Sequence, residues 1–189
     1  MKKMLIVVDM INGFIREGNL SDERIAKIIP GCQDYIKEYL DNGRQVVAFV
    51  DSHTQESKEF GAYPVHCLAG TTESALVDEL AVYSEDIRII VKNSTNGMFA
   101  PGFKEYLDRI SEYVEILIVG CCTDICVLQL ALSLKAFCNE KDYDCEIVVD
   151  ELACETFEIP GHEAATYNEL AFGLLRSSGI KVIRGKNDE

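Results

Sequence analysis

The stretch Ile116-Leu-Ile-Val-Gly-Cys-Cys-Thr-Asp-Ile-Cys-Val127 sets three cysteines directly behind an apolar run. The run Ile116 to Val119 reads as a strand that ends at Gly120, and Thr123 reads as the N-cap of a following helix. Cys126 is then the third helical residue. A thiol placed there meets free backbone N–H groups and the positive end of the helix dipole. Both favour thiolate and can take a cysteine pKa from about 8.5 toward about 3.5–7.5. The same N–H groups can hold an oxyanion. Cys121 and Cys122 precede the helix and have less claim on its dipole. Spacing alone leaves open that all three are small core thiols.

A second group of reactive residues follows another apolar run. In Asp51-Ser-His53, residues i and i+2 of extended chain point the same way, so Asp51 and His53 can share one ligand. Glu59 and His66 come later, in Glu59-Phe-Gly-Ala-Tyr-Pro-Val-His66. Two histidines with two carboxylates suit a zinc, manganese or iron ion that keeps open positions. The chain has three histidines, and two of them fall here. The third, His162, follows Pro160-Gly161 and reads as a structural hydrogen-bonding residue. Asp9 and Lys92 each end an apolar run. Taken alone, Asp9 can be a turn residue and Lys92 a solvated strand end.

These residues need elements to position them. Met4–Val8, Val46–Val50, Ile87–Val91, Ile116–Val119, Cys145–Val149 and Ile180–Ile183 read as strands, mostly as continuous apolar runs buried on both faces. Between them lie helical spacings. The first starts at an N-cap Ser21, with Asp22 and Glu23 in its first turn, and ends at Asn42-Gly43. A short helix is expected over Glu73–Leu80, another near Phe103–Ile110, one from Thr123 onward, and one over Glu163–Leu175. Strands alternating with helices imply an α/β fold with a parallel sheet covered on both faces. Ligands of such folds bind beyond the carboxyl ends of the strands. Asp9, Asp51, Lys92 and the cysteine cluster each follow a strand, so all four are expected on one rim.

Composition narrows the partners. A chain of 189 residues, 48% apolar, suits one domain with a full core, spanning 1–189. The net charge of −14 is spread along the chain, which argues against nucleic acid and anionic membranes, because both select basic patches. No apolar run approaches the roughly 20 residues of a membrane span. The N-terminal run stops at Asp9, too early for a signal peptide. The eight cysteines include no Cys-x-x-Cys pair, and they read as reduced thiols of a cytoplasmic protein.

The pattern Gly120-x-x-Thr-Asp-x-Cys126-Val127 resembles the nucleophile motif of the isochorismatase-like cysteine hydrolases, and among them the nicotinamidases. The resemblance runs from Leu5 to about Ile183. The family's Asp-x-x-x-x-Phe after strand one is matched by Asp9 and Phe14, and its strand-three lysine by Lys92. The resemblance therefore implies a Cys126–Asp9–Lys92 triad and a cis peptide between Cys121 and Cys122. It also implies a three-layer α-β-α fold whose six-stranded, mostly parallel sheet has the order 3-2-1-4-5-6. Isochorismatases proper lack the cysteine, so Cys126 speaks against that branch. The Asp-x-His and Pro-x-His of nicotinamidase metal sites are matched by Asp51, His53 and His66. Glu59 fits the variable fourth ligand, with Glu56 as the alternative. Related carbamoyl and ureido amidases generally lack this set. The resemblance further implies one divalent ion, zinc first and manganese or iron otherwise. Phe14 and Tyr63 would flank the substrate ring, and the N–H groups of Cys122 and Cys126 would form an oxyanion hole. The implied reaction is hydrolysis of nicotinamide to nicotinate and ammonia in NAD salvage, by a homo-oligomer. Another small carboxamide or ureido substrate is the alternative, because the loop Asn93–Pro101 departs from nicotinamidase patterns.

Overall fold

In the computed structural model, which describes residues 2–186, six strands form one sheet. They are β1 (Lys2–Val8), β2 (Gln45–Asp51), β3 (Arg88–Lys92), β4 (Tyr113–Cys121), β5 (Glu146–Glu155) and β6 (Lys181–Ile183). Their order is β3-β2-β1-β4-β5-β6, and all five pairings are parallel. The helices are α1 (Asn12–Ile15), α2 (Ile29–Asp41), α3 (Asp78–Ala81), α4 (Lys104–Leu107), α5 (Leu128–Glu140) and α6 (Ala164–Ser177). No described helix is long and apolar enough to cross a membrane. All eight cysteines are free and buried.

The continuous apolar run of β1 has a simple cause. Leu5 and Val7 point into one core layer, with Cys32, Tyr35, Ile36 and Tyr39 of α2. Met4, Ile6 and Val8 point into the other, with Leu130 and Leu134 of α5 and Phe172 and Leu175 of α6. Each face of the sheet is covered, so both alternations must be apolar.

Local boundaries differ from the sequence expectation where a specific constraint intervenes. The first long helix does not start at Ser21. Asp22 is the cap, its side chain accepting from the N–H of Arg24, and the first turns are 3₁₀ over Glu23–Ile28. Pro30 lacks an N–H and fits only the first α-helical turn, so the α-helix proper begins at Ile29. The expected helix 73–80 is split into a 3₁₀ turn, Thr72–Ser74, and α3, because Leu76 makes an antiparallel bridge to Ile11. The helix expected near 103–110 is shortened to α4 between 3₁₀ turns. Strand β5 runs past Val149 to Glu155 by bulging. Ile118 pairs with Val149, yet Gly120 pairs with Cys154. Buried Asp150 holds the bulge by accepting from Leu152 N, Gly185 N and the hydroxyl of Tyr35 at 2.9, 2.8 and 2.7 Å.

The register sets the rim. Val8 pairs with Phe49 on one side and Gly120 on the other, and Asp51 pairs with Lys92. Gly120 has φ +118, and a Cβ there would lie 2.1 Å from the carbonyl oxygen of Val8. That close approach is what lets β4 turn into the cysteine segment against β1. Gly120→Ala is expected to lower the unfolding free energy by about 3 kcal/mol or more. Gly43→Ala, at φ +62 with nothing within 4 Å, should cost only about 1 kcal/mol. Urea unfolding of both variants checks this, and equal losses would refute the close-approach argument.

Candidate active site

Asp9 is where the chain leaves β1, in the left-handed region at φ 51, which aspartate tolerates better than most residues. Neighbouring groups hold it there. Its N–H donates to Phe49 O (3.0 Å), and its carbonyl accepts from Ile11 N (2.8 Å) and the Cys121 thiol (3.0 Å). Its Oδ1 accepts the N–H of Asp51 at 3.0 Å. The side chain thus turns toward the ends of β2 and β3.

Lys92 fills the space between two carboxylates. Its Nζ lies 2.8 Å from Asp9 Oδ2, 2.5 Å from Asp51 Oδ1 and 3.9 Å from Cys126 Sγ. Cys126 Sγ and one oxygen each of Asp9 and Asp51 lie within 4.8 Å of one another. Every one of these side chains is buried. Burial pushes the Asp9 carboxyl up to about 7, against the pull of Lys92 and with help from Asp51. For Asp51 burial also pushes upward, but Lys92 and His53 outweigh it and hold its pKa below the usual range. Burial works against the Lys92 ammonium, yet Asp9, Cys126 and Asp51 together hold its pKa well above the ordinary value.

The cysteine segment departs from the expected helix start. Cys122, not Thr123, is the extended residue at the cap, and Thr123–Val127 form a π-helical turn closed by Val127 N to Cys122 O at 3.2 Å. The peptide between Cys121 and Cys122 is cis. Cys126 is the fourth residue of that turn rather than the third. Burial opposes the thiolate that a helix start favours. Burial pushes the Cys126 thiol well up, and Lys92 only partly offsets this. Asp9 has a carboxylate oxygen within 4.8 Å of that sulfur.

Beside this trio lies the histidine group. Asp51 Oδ2 is 3.6 Å from His53 Nε2 and 3.9 Å from His66 Nε2, and His53 Nε2 is 3.8 Å from Glu59 Oε1. The four ligand atoms lie within 4.8 Å of one another. A divalent ion at about 2.0–2.2 Å from N and O ligands separates tetrahedral ligand atoms by roughly 3.3–3.6 Å. The three pairs at 3.6 to 3.9 Å are within a few tenths of an ångström of that spacing, and the group as a whole, spread over up to 4.8 Å, would have to draw in by up to about 1.5 Å to close on an ion.

The ring orientations agree with that use. Asn93 Oδ1 accepts the N–H of Thr54 (3.3 Å), so it is an acceptor, and His53 Nδ1 donates to it (3.0 Å). His66 Nδ1 donates to Pro64 O at 2.8 Å. In the neutral rings each Nε2 then carries a lone pair, and both point at the same spot. His53 Nε2 is buried without a hydrogen-bond partner. Glu59 is fixed by Thr95, whose N–H donates to Oε2 at 2.9 Å. Glu56 is exposed and outside the group.

Both clusters open on one cavity of ≈ 690 Å³. Cys122, Cys126, Asp51, Glu59 and His66 line it, together with Phe14 and Tyr63 from the sequence reading. The Phe14 and Tyr63 rings flank His66, with centroids 5.8 and 6.2 Å away. Thr95, Ile125 and Phe157 are among its other walls and were not legible in the sequence. Asn93 and Ser57, which touch His53 Nδ1, were missed too. Asn93 directly follows Lys92, so the strand-end pattern pointed next to it. Phe157 carried no signal, because it lies in an irregular segment. His162 bears out the structural reading, with both nitrogens hydrogen-bonded.

The Isochorismatase domain family matches residues 3–179. Nicotinamidase 1 of Arabidopsis thaliana is 34% identical over 176 residues, which cover 85% of this chain and 72% of that protein. The crystal structure of pyrazinamidase of Pyrococcus horikoshii in complex with zinc is similar with a TM-score of 0.79 at 26% identity, covering 98% of this chain and 100% of that one. N-carbamoylsarcosine amidase from Thermoplasma acidophilum also reaches a TM-score of 0.79, at 25% identity, covering 100% of this chain and 99% of that one. With the parallel sheet in the order above and a family match over nearly its whole length, the chain belongs to the isochorismatase family of hydrolases.

Proposed function

We propose that the chain is a nicotinamidase that hydrolyses nicotinamide to nicotinate and ammonia through a thioester on Cys126. The observation that carries this reading is that Cys126 and three of the four N/O donors, Asp51, Glu59 and His66, line one cavity. Cys126 attacks the carboxamide carbon while Asp9 takes the thiol proton. A carboxyl with its pKa near 7 can both accept and return a proton at neutral pH. Asp9 returns that proton to the departing ammonia. It then takes one from the water that cleaves the thioester, which frees nicotinate and restores the thiol. Lys92 keeps two carboxylates and a developing thiolate together in a dry site. The N–H groups of Cys122 and Cys126 receive the charge that builds on the carbonyl oxygen.

Asp51, His53, Glu59 and His66 would hold one divalent ion, for which zinc suits the mixed nitrogen and oxygen donors and manganese or iron are the alternatives. When bound, such an ion supplies a Lewis-acid anchor for the pyridine nitrogen and so orients the ring. Phe14 and Tyr63 flank that ring position. On this reading the reaction serves NAD salvage.

A second reading is a sibling amidase acting on a ureido acid such as N-carbamoylsarcosine, and the likeness to that amidase favours it. The cavity wall favours a neutral amide instead. Among the described residues no lysine or arginine lines it, whereas Asp22, Glu23, Asp51, Glu59 and Glu158 do. A substrate carrying its own carboxylate meets no cationic side chain there, and only the bound ion could offset its charge.

Cys126→Ala should reduce ammonia release from nicotinamide by at least about 10³-fold while the purified protein keeps its metal. Substantial remaining turnover would rule out the covalent route. His53→Ala is expected to lose most of the metal found by elemental analysis. It should also raise the KM for nicotinamide, whereas unchanged metal content would remove His53 from the ligand set. With wild-type protein, ammonia release should be at least about tenfold faster from nicotinamide than from N-carbamoylsarcosine at equal concentration, as expected for more than about 1.4 kcal/mol of discrimination. The reverse order would support the ureido reading.

A further inference from the structure

His162 touches neither the cavity nor the donor group, yet every part of its ring is engaged. One face stacks on Phe157, with centroids 3.9 Å apart and planes at 7°. The other stacks on Tyr167 of α6 at 3.7 Å and 23°. Its Nδ1 is 3.0 Å from Phe157 O, and its Nε2 is 2.8 Å from Asp124 Oδ2. Its backbone pairs with Ile159 across the Pro160-Gly161 turn, N to O at 2.9 Å. The His162 and Asp124 side chains are only 12% and 11% exposed.

The two ends of this connection matter to the site. Asp124 belongs to the π-helical turn Thr123–Val127 that carries Cys126, two residues further on. Phe157, Ile159 and Cys126 all line the cavity. That turn is short and capped by no side chain. The wall segment 156–163 contains no strand or helix. The turn continues into α5, the wall segment is held by no regular ladder, and among the described residues the His162 side chain hydrogen-bonds to both.

We propose that His162 is a positioning residue, which acts through Asp124 and Phe157 to hold the Cys126 turn and the cavity wall at a fixed separation. This rests on reading Cys126 as the nucleophile. His162 does not meet substrate, so its removal acts through placement of the sulfur, where an error of about 1 Å can cost about 10²-fold in rate.

The test compares His162→Ala, Asp124→Asn and the double variant at a temperature where circular dichroism shows all of them folded. Two readouts are taken for each: kcat and KM for nicotinamide, and the rate of Cys126 carbamidomethylation by iodoacetamide followed by peptide mass spectrometry. His162→Ala should lower kcat by about 10- to 100-fold and change the alkylation rate of Cys126 at least about threefold, with the buried Cys154 as internal reference. Asp124→Asn, the near-isosteric change, should lower kcat with KM within about threefold, since Asp124 does not line the cavity. The double variant should be no worse than His162→Ala, because both changes break one connection. Fully additive losses, or wild-type kcat and alkylation rate in folded His162→Ala, would overturn the proposal. If wild-type protein fails to hydrolyse nicotinamide, the alkylation readout still decides the role of His162, so the two ideas fail separately.

Discussion

One ammonium buried between two carboxylates is the interaction on which the site depends. Lys92 bonds Asp9 and Asp51 at 2.8 and 2.5 Å, with all three side chains sealed from solvent. Taking these charges out of water is costly, and the arrangement persists only because the charges face each other at hydrogen-bonding distance. Removing the lysine would leave two carboxylates abutting in a dry pocket. Asp51 makes the arrangement more than a structural ion pair. Its Oδ1 binds Lys92 and its Oδ2 faces the Nε2 atoms of His53 and His66. A single carboxylate thus joins the Lys92–Cys126 cluster to the histidine group.

The sheet makes this contact possible. Parallel strands in the order 3-2-1-4-5-6 bring the ends of β3, β2, β1 and β4 side by side on one rim. The Asp51–Lys92 register then sets lysine against carboxylate directly. Gly120 lets β4 come close enough to β1 for the cysteine turn to face Asp9. Such a rim concentrates functional groups without asking the core to hold them, because the two apolar layers below are complete by themselves.

The electrostatics of the cavity follow from the same economy of cations. Lys92 is consumed by its two carboxylates and does not line the cavity, whose charged walls are all acidic. A neutral ring amide can enter such a space without a counter-ion. Burial in this environment pushes the Cys126 thiol up, and the proposed route accordingly gives Asp9 the thiol proton.

Much of this was readable in the sequence. Continuous apolar runs announced strands buried on both faces. Polar residues at their ends, Asp9, Asp51 and Lys92, marked the rim, and the motif from Gly120 to Val127 marked the reactive thiol. These features are local, set by periodicity and by what must follow a buried strand. What only the folded chain decided is contact between segments far apart. No spacing shows that Lys92 bonds Asp51 as well as Asp9, or that Asn93 orients the ring of His53. Nor does it show that Glu59 rather than Glu56 joins the histidines, or that Phe157 and His162 brace the cysteine turn. The proton on Cys126 belongs to the same class. Its helical position argued for thiolate, but burial depends on everything packed around the sulfur, and burial is the larger effect.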